Sequence, residues 1–331
     1  MGRGTTWWAL LALMGMACSD REGPPVEVDA GEVDGGGGGD AGGVVDAGVD
    51  ASEPSDGGTD AGPVDAGPLT GDTYLYVIDV LDLGAEDPEG IAPGFDLDSS
   101  TSRVCNQADY TSPAPASTPG IDNSLGPVLA AGEEQFRVRE ALALNVSSGR
   151  LLVLARLRGV DDFENDPRVE VDVLFGVLPA GVAMPTSTGG RFDAGQTFDV
   201  DARSLDVDGM TALSQLPGAI VDGRLTAGPG MLPLTVPFGT ELVTLELGRV
   251  QMAFDVSESG LSNGVVGGAL DVADTIVALS DVEGLDPGQV EFALEVFADL
   301  DPAMGNRECQ SISVALVFDG TTAVEGEVVT P

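Results

Sequence analysis

Two short acidic segments of this chain share a pattern of paired aspartates followed by a cysteine. The first is Asp96-Leu97-Asp98, with Cys105 further on, and the second is Asp299-Leu300-Asp301, with Cys309 further on. Proteins hold calcium with about six to eight oxygen atoms from carboxylates, amides and backbone carbonyls. The carboxylates in and near these segments are therefore candidate calcium ligands: Asp96, Asp98, Asp109, Asp122, Asp299 and Asp301.

Neither acidic segment matches the calcium-binding loop of an EF-hand. Where that loop has a third acid and a glycine, the first segment has Ser100 and Thr101, and the second departs at Pro302 and Ala303. The same pattern is typical of acidic turns on a solvated surface. Two interpretations therefore stay open, a structural calcium site and two hydrated turns without a cation.

The residue types that the chain lacks exclude several kinds of enzyme. There is no histidine, which excludes a Ser-His-Asp triad, a Cys-His pair and a histidine-ligated zinc. All 14 basic residues are arginine, and without lysine neither Schiff-base chemistry nor a phosphate-binding loop is available. Glycosidase-type chemistry remains, because it needs only two acids across a bond. No pair stands out among the 55 acids, so we predict no catalytic residue.

The N-terminus has the organisation of a secretory signal peptide. One positive charge, Arg3, precedes a stretch that is uncharged from residue 4 to residue 18. Its apolar part is shorter than the roughly 20 residues that a membrane-spanning helix needs. Small residues then precede Cys18, as they do at signal cleavage sites. We expect residues 1–17 to be removed on export.

The run Gly15-Met16-Ala17-Cys18 resembles the lipobox of bacterial lipoproteins, with Gly15 where an aliphatic residue is usual. The resemblance implies that Cys18 becomes the first residue of the mature chain and is acylated. It also implies a lipid-anchored protein of the cell envelope, on the periplasmic or surface face of the outer membrane. The alternative is ordinary cleavage after Ala17, which would release a secreted protein.

Cys105 and Cys309 are the cysteines that remain once the lipobox resemblance assigns Cys18 to the lipid. In an oxidising compartment, a remainder of two implies one disulfide between them. The Cα atoms of a disulfide pair lie about 5.5–6 Å apart. This bond would bring the two acidic segments together, and their carboxylates would repel one another unless a cation lay among them.

Residues 18–71 read as a linker of low sequence complexity. The unit Asp-Ala-Gly occurs five times, and residues 19–71 contain thirteen acids and one arginine. With few large apolar side chains, the segment cannot offset its chain entropy, so we expect it to be disordered with a reach of about 40 Å. Lipobox and linker together resemble those of uncharacterised predicted lipoproteins of myxobacterial type, in which a β-rich domain follows.

Residues 72–331 are predicted to form one β-rich globular domain. Strand-like runs are separated by Gly- and Pro-containing turns, at spacings typical of all-β domains. The predicted strands cover residues 74–83, 150–158, 168–177, 197–201, 220–227, 241–256, 290–297 and 311–318. Helices are predicted at residues 133–146 and 270–279. We expect a mainly β fold of sandwich-like antiparallel sheets with one or two short helices, preceded by a disordered tether.

The predicted domain is strongly acidic, with 42 acids and 12 arginines in residues 72–331. This charge argues against a nucleic-acid partner, because phosphates would be repelled. Three functions stay open. The first is a membrane-tethered binding or structural module for an envelope or extracellular partner, stiffened by the disulfide and by calcium. The others are a hydrolase that uses carboxylates alone and a carrier of an apolar ligand lined by the 241–256 strand.

Overall fold

Long β-strands make up most of the regular structure. The structure is a computed structural model, and it describes residues 69–101, 105, 107–131, 137–182, 187–188, 191–238, 241–280, 282, 286–302 and 308–330. The expected signal peptide, Cys18 and the linker up to residue 68 lie outside the described residues. Residues 69–331 form one compact unit.

The elements are numbered in chain order. The strands are β1 (Asp72–Leu83), β2 (Tyr110–Thr111), β3 (Pro119–Ile121), β4 (Val153–Val160), β5 (Asn165–Val177), β6 (Ser187–Thr188), β7 (Arg191–Phe192), β8 (Gln196–Asp201), β9 (Ser214–Val221), β10 (Arg224–Phe238), β11 (Glu241–Ser257), β12 (Gly260–Asp271), β13 (Leu300–Pro302) and β14 (Cys309–Val329). The helices are α1 (Leu125–Ala131), α2 (Val138–Ser147), α3 (Val272–Leu279) and α4 (Pro287–Phe297), with a 3-10 turn at Ala202–Ser204.

Eight of these strands form a closed antiparallel ring. The order is β1-β4-β5-β9-β10-β11-β12-β14, and β14 pairs back onto β1. Ring closure leaves these eight strands with paired neighbours on both sides, which removes the exposed edges that an open sheet must protect. Strand β8 lies outside this order, antiparallel to the end of β5 and parallel to the end of β14.

Opposite walls of the ring face each other across one apolar core, as the layers of a sandwich do. All eight strands contribute to this core, from Tyr76 on β1 through Phe254 on β11 to Phe318 on β14. The interior contains a cavity of about 50 Å³ lined by apolar side chains. A second core lies on the outer face of β1, β4 and β5, where Leu75 and Val77 pack with Phe198 of β8 and Val146 of α2.

Helices α3 and α4 cover one end of the interior. Each begins at an aspartate whose side chain accepts a backbone hydrogen bond: Asp271 from Asp274 N at 2.9 Å, and Asp286 from Gln289 N at 3.1 Å. These contacts satisfy donors that the first helical turn leaves free. Val272 of α3 and Leu294 of α4 are buried in the interior core.

The prediction of a mainly β, antiparallel fold is confirmed. Predicted strands 74–83, 150–158, 168–177, 197–201, 241–256 and 311–318 coincide with β1, β4, β5, β8, β11 and the first half of β14. The predicted helix at 270–279 is α3, and the predicted helix at 133–146 overlaps α2, with residues 133–136 outside the described residues. The described part of the chain has four helices where one or two were expected.

Two strand predictions were wrong in type or extent. Residues 290–297 form α4, because Asp286 caps that segment and Pro287 stands at its first turn, both features of a helix start. Residues 220–227 form the end of β9, a turn and the start of β10. Asp222 and Gly223 both have positive φ, 50° and 77°, as a two-residue hairpin turn of this kind requires.

Candidate metal centre

A buried asparagine, Asn123, helps to fasten the segment between Pro93 and Gly126 to the ring. Its amide nitrogen donates to the carbonyl oxygens of Gly84 and Pro93, the latter at 2.9 Å. Its amide oxygen accepts from the backbone N–H of Ala315 at 3.1 Å and from Gly126. Asn123 is fully buried, and these contacts use its hydrogen-bonding groups for anchoring rather than for a ligand.

The predicted disulfide between Cys105 and Cys309 is present. The two Cα atoms lie 5.8 Å apart, and 204 positions separate the residues in sequence. Cys309 begins β14 and is paired with Pro302 of β13. The bond therefore ties the segment that carries Asp96 and Asp98 to the hairpin that follows Asp299.

Three of the predicted ligands, Asp96, Asp98 and Asp122, converge. One carboxylate oxygen of each lies within 4.8 Å of those of the other two. Their exposure increases from Asp122, which is buried, through Asp98 to Asp96, which is exposed. The group therefore runs from the protein interior to solvent, as an ion-binding site with an entry path does.

Local backbone hydrogen bonds position two of these three side chains, those of Asp98 and Asp122. Asp122 N donates to Phe95 O at 2.9 Å, and Leu97 N donates to Asp122 Oδ2 at 2.7 Å. Oδ1 of Asp98 accepts from Ser100 N at 2.8 Å, which forms a tight Asx-type turn. Gly120 allows this turn to approach β3, since a Cβ at Gly120 would lie 2.7 Å from Ser100 O.

Burial makes Asp122 the most perturbed of the three. Only 4% of the residue is exposed. Loss of hydration raises the pKa of its carboxyl to about 7, against the lowering effect of the Leu97 N–H. The negative charges of Asp98, Asp299 and Asp109 raise it further. The ionised form of Asp122 is therefore costly unless a positive charge is close to it.

Asp109 and Asp299 stand beside the three converging carboxylates. Burial raises the pKa of Asp109, and the charges of Asp98 and Asp96 add to this effect. Its Oδ2 is buried and has no hydrogen-bond partner in the described part of the chain. Burial also raises the pKa of Asp299 to about 6, although Ser313 donates to both of its carboxylate oxygens, and the Asp98 charge raises it further.

Asp301 is committed to a different contact. It forms an ion pair with Arg249 of β11, and its Oδ2 accepts from the Ser311 hydroxyl at 2.9 Å. Burial alone would raise the pKa of Asp301, but these two hydrogen bonds outweigh it and hold the pKa below its usual value. Asp301 is therefore already neutralised, and it lies outside the group of three converging carboxylates.

Arg249 and Ser313 support the site and were not predicted from the sequence. Arg249 also donates to Leu97 O at 3.3 Å, so it links β11 to the turn between Asp96 and Asp98. Ser313 orients Asp299, and its hydroxyl accepts from Ser124 N at 2.8 Å. More than 100 positions separate Arg249 from Leu97, so the sequence carries no local signal for either role.

The donor atoms at this site are hard oxygens. The chain contains no histidine, and both cysteines of the domain are in the disulfide, so no imidazole or thiolate is available. Carboxylate oxygens of this kind suit calcium, magnesium or manganese rather than zinc or copper. The residues present thus fit a hard divalent cation.

Comparison with known proteins finds no matching family model, no similar curated protein and no similar solved structure. Within the described residues, no helix is both long enough and apolar enough to cross a membrane.

Proposed function

We propose that this protein is a lipid-anchored module of the cell envelope whose folded domain binds calcium and acts as a binding or structural unit. Cys18 would carry the lipid and residues 19–71 would form a spacer. The cation would be held by Asp96, Asp98 and Asp122, with Asp109 and Asp299 beside them. Calcium and the Cys105–Cys309 disulfide would together stiffen the face of the domain formed by the 93–126 segment.

The observation that carries the calcium proposal is the burial of like charges close together. Asp122 and Asp299 are 4% and 7% exposed, and the Asp98 charge raises the pKa of both. Burying a carboxylate without a partner costs several kcal/mol, so such groups are protonated, paired or bound to a metal. A divalent cation would neutralise these charges in one step.

Calcium fits the site better than magnesium. Magnesium demands nearly ideal octahedral geometry. Calcium instead accepts about six to eight oxygen ligands in irregular arrangements, with Ca–O distances of about 2.3–2.6 Å. The carboxylates here come from the turn around Asp98 and from Asp122, which directly follows β3, so they are not arranged on one regular element. Calcium sites of extracellular modules bind with a Kd on the order of 10⁻⁴–10⁻³ M, and we expect an affinity in that range.

A hydrolase that uses carboxylates alone is the second candidate. The raised pKa of Asp122, about 7, next to the exposed Asp96 is the kind of unequal pair that glycosidases use. The burial of Asp122 argues against direct contact between this carboxyl and a sugar. Hydrolysis of aryl glycosides in the presence of EDTA, abolished by Asp122→Asn, would favour this candidate over the calcium site.

Thermal unfolding tests the calcium proposal directly. The full chain with Cys18→Ser, which needs no detergent, is melted in EDTA and in calcium. At a calcium concentration about 100 times the Kd, binding adds about 2.7 kcal/mol, which corresponds to a rise in Tm of roughly 5–10 °C for a domain of this size. Asp98→Asn should abolish this rise. In EDTA the same variant should melt no lower than the parent, because it removes a like charge and keeps the oxygen that accepts from Ser100 N.

Asp208→Asn is the matched control. Asp208 also accepts from backbone N–H groups in a tight turn, those of Met210 and Thr211 at 2.8 Å, but it is exposed and belongs to another loop. This variant should keep the full calcium response. An unchanged Tm on adding calcium to the folded parent protein would refute the proposal, and so would an intact response in Asp98→Asn.

A further inference from the structure

A cleft of about 610 Å³ lies at one end of the ring, away from the carboxylates of the metal site. It is bounded by the start of β4, the end of β5 and parts of β10 and β11. Its lining includes Leu151, Leu152, Phe175, Leu178 and Leu213. The volume falls in the range of roughly 300–1,000 Å³ that is typical of small-molecule sites.

The floor of this cleft is apolar and built into the second core. Leu151 and Leu152 are 3% and 2% exposed and pack in that core, so they are held firmly in place. Leu213 stands at the rim with half of its surface exposed. A hydrocarbon chain lying on this floor would remove from water its own apolar surface and that of the more exposed lining residues, such as Leu213.

The charged groups of the cleft leave one positive charge without a partner. Arg203 pairs with Asp201, with Arg203 Nη2 at 2.6 Å from Asp201 Oδ2, so these two charges cancel. Arg150 has no side-chain partner among the described residues. Elsewhere in the described part of the chain, ion pairs engage Arg137, Arg139, Arg156, Arg158, Arg191, Arg224 and Arg249.

An unpaired arginine is unexpected in a domain with 42 acids. Most of its other arginines lie against carboxylates, as the acidic surroundings favour. Arg150 lies instead at the edge of an apolar floor, where a guanidinium can form two parallel hydrogen bonds to a carboxylate. The cleft therefore offers a single positive charge next to a hydrophobic surface.

We propose that this cleft binds a medium-chain monocarboxylate, such as a fatty acid, with its chain on the Leu151–Leu152 floor and its head group on Arg150. One negative charge matches the positive charge of Arg150, which has no side-chain partner among the described residues. A phosphate head group would bring a second negative charge into a strongly acidic protein. This site is independent of the calcium site and goes beyond the proposed function.

Calorimetric titration of the full chain with Cys18→Ser tests this proposal with dodecanoate as the probe. We expect one site with a Kd on the order of 10–100 μM. Arg150→Gln should weaken binding about tenfold or more, since it removes a charge-assisted pair. Leu213→Asp should weaken it similarly, because it places a negative charge at the rim at a position that is already half exposed.

Arg137→Gln is the matched control, because Arg137 is 69% exposed and does not line the cleft. That variant should bind dodecanoate as the parent does. Dodecanol and dodecyl phosphate should both bind more weakly than dodecanoate, and Arg150→Gln should leave dodecanol binding unchanged. Absence of dodecanoate binding up to about 1 mM would overturn the proposal, as would equal binding by Arg150→Gln or equal affinity for dodecanol.

Discussion

At the scale of single residues, Asp122 determines how the metal site responds to protons. Its folded pKa of about 7 lies far above the value near 3.9 of an unfolded aspartate. As pH rises, the unfolded chain therefore releases this proton before the folded chain does. Without calcium, the folded state loses stability between about pH 4 and pH 7, and Asp299, with a pKa of about 6, acts in the same direction.

Calcium and protons should compete at this residue. We predict that the calcium affinity rises from pH 5 to pH 7.5 and that binding near pH 6.5 releases protons, because the cation favours ionised Asp122. Titration calorimetry in buffers of different ionisation enthalpy measures the release. In Asp122→Asn, any residual calcium binding should release fewer protons than in the parent. A calcium affinity that does not change over this pH range would contradict the role assigned to Asp122.

The sequence indicated which aspartates are candidate ligands, but it did not indicate which of them pair with an arginine. Asp96, Asp98 and Asp122 were predicted as ligands, and the structure brings them together because they lie in one segment of the chain. Asp301 matched the same pattern but pairs with Arg249, which comes from a distant strand. Only tertiary packing decides which carboxylate receives an arginine, so the repeated Asp-Leu-Asp pattern could not distinguish Asp98 from Asp301.

At the scale of elements, the 93–126 segment has only short regular structure and depends on β14 for its position. Three contacts join them: the Cys105–Cys309 disulfide, the Asn123 side chain and the Ser124–Ser313 hydrogen bond. The disulfide ties the stretch that follows Asp98 to the stretch that follows Asp299. We therefore expect covalent closure to support the position of Asp299 relative to Asp98.

The double variant Cys105→Ser with Cys309→Ser should weaken both the fold and the site. Closing a loop of this length contributes slightly more than about 5 kcal/mol in the chain-entropy model, and measured losses are usually smaller, so we expect a loss of roughly 3–5 kcal/mol in denaturant unfolding. Calcium affinity should fall as well, because Asp299 is no longer held beside Asp98. If the double variant unfolded in a single step at the same denaturant midpoint as the parent, the noncovalent contacts alone would be sufficient to hold the segment in place.

Strands with a clear pattern of apolar residues were predicted from the sequence, and a strand rich in glycine was not. Strand β11 was predicted within one residue because its apolar residues alternate with polar ones along most of its length, as in a strand with one buried face. Strand β12 was missed, since Gly264, Gly267 and Gly268 give a weak strand signal, yet the close packing of β12 against neighbouring strands requires them. A Cβ at Gly264 would lie 2.6 Å from the Phe318 ring. Tertiary context therefore overrode local propensity.

At the scale of the whole molecule, closure of the ring was beyond the reach of the sequence. Alternating apolar residues indicate strands and faces, but they do not state that β14 returns to pair with β1 across more than 200 positions. Closure also explains why the interior is nearly filled, with a cavity of only about 50 Å³. A cavity of that size is too small for an organic ligand.

Ligand sites on the outside of the domain suit a protein held at a membrane by its N-terminus. A flexible spacer of some 50 residues with thirteen acids would keep the domain away from an anionic surface, because like charges repel and such a chain would reach about 40 Å. In the proposed arrangement the anchor is the lipid on Cys18. The location of the whole protein should therefore depend on one sulfur atom.

Cys18→Ser should consequently move the protein out of the membrane fraction when it is expressed in a bacterial host. The parent chain should incorporate a labelled fatty acid and partition into detergent, because acyl chains contribute about 0.8 kcal/mol of membrane affinity per buried CH₂ group. The variant should incorporate no label and appear in the soluble extracytoplasmic fraction with its Cys105–Cys309 disulfide intact. Unlabelled parent protein would instead indicate cleavage after Ala17 and a secreted product, and would leave the calcium and carboxylate sites to be judged on their own measurements.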